Sequence, residues 1–172
     1  MITKADIEKY FIAEKQEALV FICVGVAAIV VAMLGLLLWK TQFWKGAAIP
    51  LILIALLQLI VGYTIYNRSD ADRVRVVYAL DMNPNDLKTK ELPRMIKVNK
   101  SFVMYRYLQI ALLTIGTLIA LAYKSNIEKK FLFGIGVALV IQALIMLAAD
   151  SIAEKRALHY TKLLQEKVNK IQ

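Results

Sequence analysis

Few residues in this chain are of a type and spacing that could do chemistry. There is one cysteine, Cys23, and one histidine, His159. A lone cysteine forms no intrachain disulfide, and a lone histidine without cysteine partners builds no metal site. No G-x-S-x-G elbow, phosphate-binding loop, H-E-x-x-H pair or dinucleotide fingerprint occurs. The pattern therefore points to a protein that is not an enzyme and that uses no metal, no cofactor and no evident small-molecule substrate. What remains is a set of uncharged polar residues inside apolar runs: Gln58, Thr64, Gln109, Thr114, Thr117 and Gln142. A glutamine surrounded by hydrocarbon gains from a partner on a neighbouring helix, by ~0.6 kcal/mol on average and up to ~2. Gln58 and Gln142 are expected to pair, with Thr114 and Thr117 as further interhelical polar contacts. The same residues could instead line a pore formed by an oligomer.

These residues lie in four stretches free of Asp, Glu, Lys, Arg and His: 18–39, 46–67, 107–123 and 131–149. They are 22, 22, 17 and 19 residues long, and a membrane-crossing helix needs ~17–25. Hydrophobic residues make up 59% of the 172-residue chain, yet 20% are charged. Both hold because charge and apolar residues occupy separate blocks. This excludes a soluble enzyme, a disulfide scaffold and a disordered tail. Ion-coupled transport usually keeps an ionisable group within the membrane. None lies inside these runs, and Asp150 is read as a boundary residue in contact with water. Cys23 is read as a buried small hydrophobe.

Basic residues orient the spans. Three precede the first run, two follow it at 40–45, nine lie between the second and third, three lie at 124–130 and five follow the fourth. Four crossings place 17 on one side and 5 on the other. The rule that Lys and Arg stay inside then puts both termini in the cytoplasm, joined by two short outer hairpins. The net charge of +9 reads as this asymmetry, not as nucleic-acid binding. The first run is too long for the apolar core of a cleavable signal and reads as a retained span. Trp39, Phe43 and Trp44, with Tyr63, Tyr66, Tyr105, Tyr107 and Tyr123, sit near span ends as an interfacial belt.

The cytoplasmic segments, about 4–17, 68–106 and 150–172, are expected to extend the spans as helices. Thr3 is a cap for a helix running to about residue 39, with Asp6 in its first turn. Ile7, Tyr10, Phe11 and Glu14 form one stripe. The second helix is expected from Pro50 to about Leu80, with Val74, Val77 and Tyr78 on its apolar face. A turn at 81–86 follows, and Pro93 opens the next helix, with Met95, Val98, Asn99, Phe102 and Val103 leading into the third span. Ala157, Tyr160, Leu164, Val168 and Ile171 form a third stripe. Helices this long are unstable without a packed face, so the stripes are expected to pack on one another. Small residues four apart, Ala28/Ala32, Gly116/Ala120 and Gly134/Ala138, allow close helix approach. The two halves also share an order of events, with Ser69–Arg73 echoed by Ser151–Lys155, which suggests a parallel repeat.

The sequence thus predicts an all-α polytopic membrane protein. Its four transmembrane helices form an antiparallel bundle with helical cytoplasmic extensions, as one domain in the bacterial inner membrane. Membrane lipid surrounds it, and a protein partner or a second copy is expected. Arg73, Arg75, Tyr78, Tyr160 and Leu164 are the candidate cytoplasmic interface. The expected role is contact with that partner, as an immunity or inhibitor protein against a membrane-directed toxin or as a scaffold subunit. The rival is an oligomeric channel.

Overall fold

The fold was examined in a computed structural model, which describes residues 2–170. Thr3 closes a capping box at the start of α1, Lys4–Leu34. Its Oγ1 accepts from the Asp6 amide at 3.3 Å, and Asp6 Oδ2 accepts from the Thr3 amide at 2.9 Å. The Thr3 hydroxyl donates to the same carboxylate oxygen at 2.7 Å, and this bond with that of the Thr3 amide holds the Asp6 carboxyl below its ordinary pKa. A five-residue π turn, Gly35–Trp39, ends the helix. Lys40 takes a left-handed conformation, φ 50°, to reverse the chain. Thr41 then caps α2, Gln42–Met82.

At 41 residues α2 is about 60 Å long. It begins eight residues before the expected Pro50, which lies inside the helix and is buried. Neighbouring helices can support such an interior proline in apolar surroundings. Only Asn83 breaks the helical path at the expected turn. Helix α3, Pro84–Asp86, follows at once and merges through a second π turn, Leu87–Glu91, into α4, Leu92–Tyr123. A turn leads to α5, Lys130–Val168. Among the described residues the structure is all helix and turn, and four helices are long and apolar enough to cross a membrane. That is compatible with a multi-pass membrane protein.

Helix α1 packs along α2, α2 along α5, and α5 along α4, whereas α1 meets α5 only sparsely. Within the apolar runs, small residues face neighbours and large ones face outward. Ala32, Ala47, Ala48 and Ala138 are buried with Leu51, while Leu37, Leu53, Leu57, Ile60, Leu118 and Leu121 are exposed. Cys23 is also exposed, a correction to the buried site expected for it. The closest approach joins α2 to α5. A Cβ on Gly46 would stand 1.9 Å from the Phe131 carbonyl oxygen, and one on Gly134 would stand 2.1 Å from that of Phe43. Gly136 likewise meets the α4 backbone at Gly116 and Ala120. The predicted Gly116/Ala120 and Gly134/Ala138 pairs therefore lie at helix contacts.

A second core lies beyond the apolar runs, in a polar layer built from the ends of all the long helices. Ile2, Ile7, Tyr10 and Phe11 meet Val76, Ala79, Leu87 and Met95, and Ala157, Tyr160, Leu164 and Val168. The three stripes pack on each other, with Val98 and Phe102 against the cluster. Ile171 of the third stripe lies outside the described residues. On α2 the buried face is Val76 and Ala79, with Val77 packed beside it, whereas Val74 and Tyr78 are exposed. The expected apolar face is therefore rotated by about one residue.

Candidate functional site

The polar layer holds the chain's densest arrangement of buried charge, and it is built around Glu91. In the π turn that begins at Leu87, Glu91 faces inward and is fully buried. Removing a carboxylate from water is costly unless it is paired and hydrogen-bonded. Three side chains donate four hydrogen bonds to Glu91. Arg94 donates to both its oxygens, through Nη2 at 2.7 Å and Nε at 3.0 Å. Arg75 donates from α2 at 3.2 Å, and Tyr160 donates from α5 at 3.3 Å. The Arg94 guanidinium also lies over the Phe11 ring, 5.3 Å from its centroid. Burial opposes the charge on Arg94, but its bonds to Glu91 outweigh burial and raise its pKa.

Tyr160 continues the network to α1. Its ring stacks on Tyr10 with centroids 4.2 Å apart and planes 9° apart. Tyr10 donates to Glu14 at 3.3 Å, and Ser69 of α2 donates to the other Glu14 oxygen at 3.1 Å. Burial raises the pKa of both phenols above the ordinary value. The result is a closed polar lattice through α1, α2, α4 and α5 inside an apolar shell. It fixes how the helix ends sit on each other.

Where this layer meets the apolar runs, a belt of interhelical polar pairs surrounds the bundle. Lys15 pairs with Asp70, Glu17 with Arg156, and Arg106 with Glu154, while Gln109 donates to Asp150. Asp150, half-buried at the boundary of the fourth apolar run, also holds a neighbouring helix through Gln109.

The expected site residues separate into distinct roles. Gln58 Nε2 donates to Gln142 Oε1 at 3.3 Å, and both side chains are buried between α2 and α5. Thr114 and Thr117 do not join them: both are exposed on α4 and donate to their own helix, at Ile110 and Leu113. A threonine hydroxyl satisfied by the carbonyl four residues back needs no partner helix. Tyr160 and Leu164 are buried, so they hold the layer together and present no surface. Arg73 and Arg75 are engaged with Asp70 and Asp72. Tyr78 alone of the five is freely exposed. Ser69 and Ser151 both bond the carbonyl four residues back, but Ser69 is buried and also meets Glu14 while Ser151 is exposed, so the repeat does not extend to matching environments.

Glu91 and Arg94 were not singled out from the sequence. The signal was Leu87, Glu91 and Met95 at four-residue steps, an acid on an otherwise apolar helical face. Among the described residues no group of three His, Cys, Asp or Glu could hold a metal. No known protein family, curated protein or solved structure matches this chain.

Proposed function

We propose that this chain is a non-enzymatic protein of the bacterial inner membrane that acts by contact with a protein partner. Its four spans run antiparallel, and its termini and polar layer lie in the cytoplasm. Contacts between opposite ends of α1 and α2 support the antiparallel course: Lys15 meets Asp70, while Gly35 meets Trp44. The asymmetry of basic residues supports the orientation.

One observation carries the contact reading. Val74, Tyr78 and Met82 stand at four-residue steps on the outer face of α2, exposed by 64%, 64% and 71%. They project from the polar layer, beyond the apolar runs, where lipid does not cover them. Contiguous exposed apolar residues on an otherwise satisfied domain mark an interaction face. An apolar helix face of this spacing suits a helix laid alongside it. An immunity or inhibitor protein against a membrane-directed toxin, or a scaffold subunit, would use such a face. The pore reading requires its polar residues to share an exposed face. The inward pairing of Gln58 with Gln142 weighs against it.

A photo-crosslinking residue at position 78 tests the proposal in intact cells, with position 107 as a lipid-facing control. The expected result is one discrete protein adduct from position 78, to another protein or to a second copy. Val74→Asp should remove it without lowering the melting temperature in detergent. Absence of a protein adduct from 74, 78 and 82 alike would overturn the reading. Reporter fusions at residues 43 and 127 test the orientation, and a cytoplasmic signal from either reverses it.

A further inference from the structure

The end of the molecule opposite the polar layer carries a different imbalance. Its two hairpins expose Lys40, Lys45, Lys124 and Lys129, with Lys130 half-exposed, against one acid, Glu128. Among the described residues none of the five lysines joins an ion pair. In the polar layer Arg68, Arg73, Arg75, Arg94, Arg106 and Arg156 have carboxylate partners, as do Lys4, Lys15 and Lys90, although among the described residues lysines such as Lys88, Lys97 and Lys155 join none. Two of the lysines are instead held over aromatic faces, Lys129 on Tyr123 and Lys130 on Phe133, 5.2 and 5.8 Å from the ring centroids.

Below this basic rim lies an apolar cavity of about 350 Å³. It is bounded by Ala27 and Val31 of α1, Trp44 of α2, and Val137 and Ile145 of α5. It stays open because α1 and α5 flank α2 without packing along one another. From Val137 to Ile145 it follows α5 for about 12 Å, starting near the rim and reaching the level of Gln142. Its walls are almost wholly apolar, and its axis follows the helices.

The geometry points to a phospholipid site: one acyl chain of an anionic phospholipid fills this cavity, and its phosphate lies among the unpaired lysines. The inference rests on the membrane placement proposed above. A slot parallel to the helices matches a chain in one leaflet, and the unmatched positive rim selects an anionic headgroup. Basic clusters at helix ends attract such lipids, each lysine near the surface being worth about a fivefold preference.

The chain supplies its own reporter, because both tryptophans, Trp39 and Trp44, stand at this end. Their rings stack with centroids 4.9 Å apart, so Trp39→Phe leaves Trp44 on the cavity wall as the single fluorophore. The full chain would be reconstituted in phosphatidylcholine vesicles containing a fixed fraction of brominated phosphatidylglycerol or brominated phosphatidylcholine. Bromine quenches tryptophan only on contact. The expected outcome is a preference of at least about fivefold for the anionic lipid in the quenching, the worth of a single lysine at the phosphate. Lys45→Gln with Lys130→Gln should lower the preference, and Ala27→Leu, which narrows the cavity from an exposed position, should reduce quenching by both lipids. Equal quenching by the two lipids would overturn the site while leaving the membrane placement intact. No quenching by either would overturn the placement itself.

Discussion

Tyr160, near the end of α5, donates to Glu91 of the second π turn at 3.3 Å, a bond spanning 69 positions of sequence. It joins the last helix to the π turn between α2 and α4 and places a buried phenol beside a buried carboxylate in the polar layer. The bond gives the buried phenol its acceptor and adds a neutral donor to the carboxylate that Arg94 and Arg75 already pair. Helix ends that could fray independently beyond the apolar runs are tied into one body.

Glu91→Gln should therefore destabilise the protein out of proportion to its conservative shape. The amide keeps the volume but leaves Arg94 and Arg75 without their shared counter-charge. Removing one member of a buried pair costs about 3–5 kcal/mol. Replacing Glu91 with Leu and Arg94 with Met together should cost less than Glu91→Gln alone. Thermal unfolding in mild detergent measures both, and equal losses would count against the pairing.

Alkaline pH should loosen the same layer. Burial raises the pKa of Tyr10 and Tyr160 above the ordinary value of 10.0. The unfolded phenols release protons near pH 10 while the folded ones retain theirs, so the unfolded state then binds fewer protons and stability falls as pH rises. Below pH 10 their contribution is constant. Melting temperature followed from pH 8 to 12 should decline above about pH 10. A variant with both tyrosines changed to phenylalanine should decline less steeply.

The Gln58–Gln142 bond links α2 to α5 inside the apolar runs. Single changes to leucine strand the other amide, whereas the double change removes both polar groups. Each single variant is expected to lose about 0.6–2 kcal/mol, and the double variant less than the two combined. Strict additivity in the double-mutant cycle would show that the amides do not interact.

The four apolar helices, the Thr3 cap and the inward stripes of α1 and α5 were legible because each depends on local periodicity. Ile7, Tyr10 and Phe11, or Tyr160 and Leu164, repeat at helical spacing and need no knowledge of the partner. Features set by tertiary contact were not legible. Glu91 stands at four-residue steps between Leu87 and Met95, but an acid ordinarily faces water, and only its packed partners Arg94, Arg75 and Tyr160 show it turned inward. The outward rotation of Val74 and Tyr78 follows from Val76 and Ala79 taking the core positions. Thr114 and Thr117 look like interhelical donors by type, but a hydroxyl's reach to its own backbone is visible only in three dimensions.

The contact between α2 and α5 supplies a sharper test of packing. A Cβ at Gly46 would lie 1.9 Å from the Phe131 carbonyl oxygen, which is backbone and cannot swing aside. A Cβ at Gly35 would lie 2.3 Å from the Trp44 ring, a side chain that can move. Overpacking costs about 1–3 kcal/mol and more where the structure cannot relax. Gly46→Ala should therefore lower the melting temperature well beyond Gly35→Ala, although both add one methyl group to a tight site. Gly46→Ala should also separate α2 from α5, because the Phe131 backbone must move to admit the methyl group. If the two alanine variants melt together, the close backbone approach at Gly46 is not what holds these helices in place.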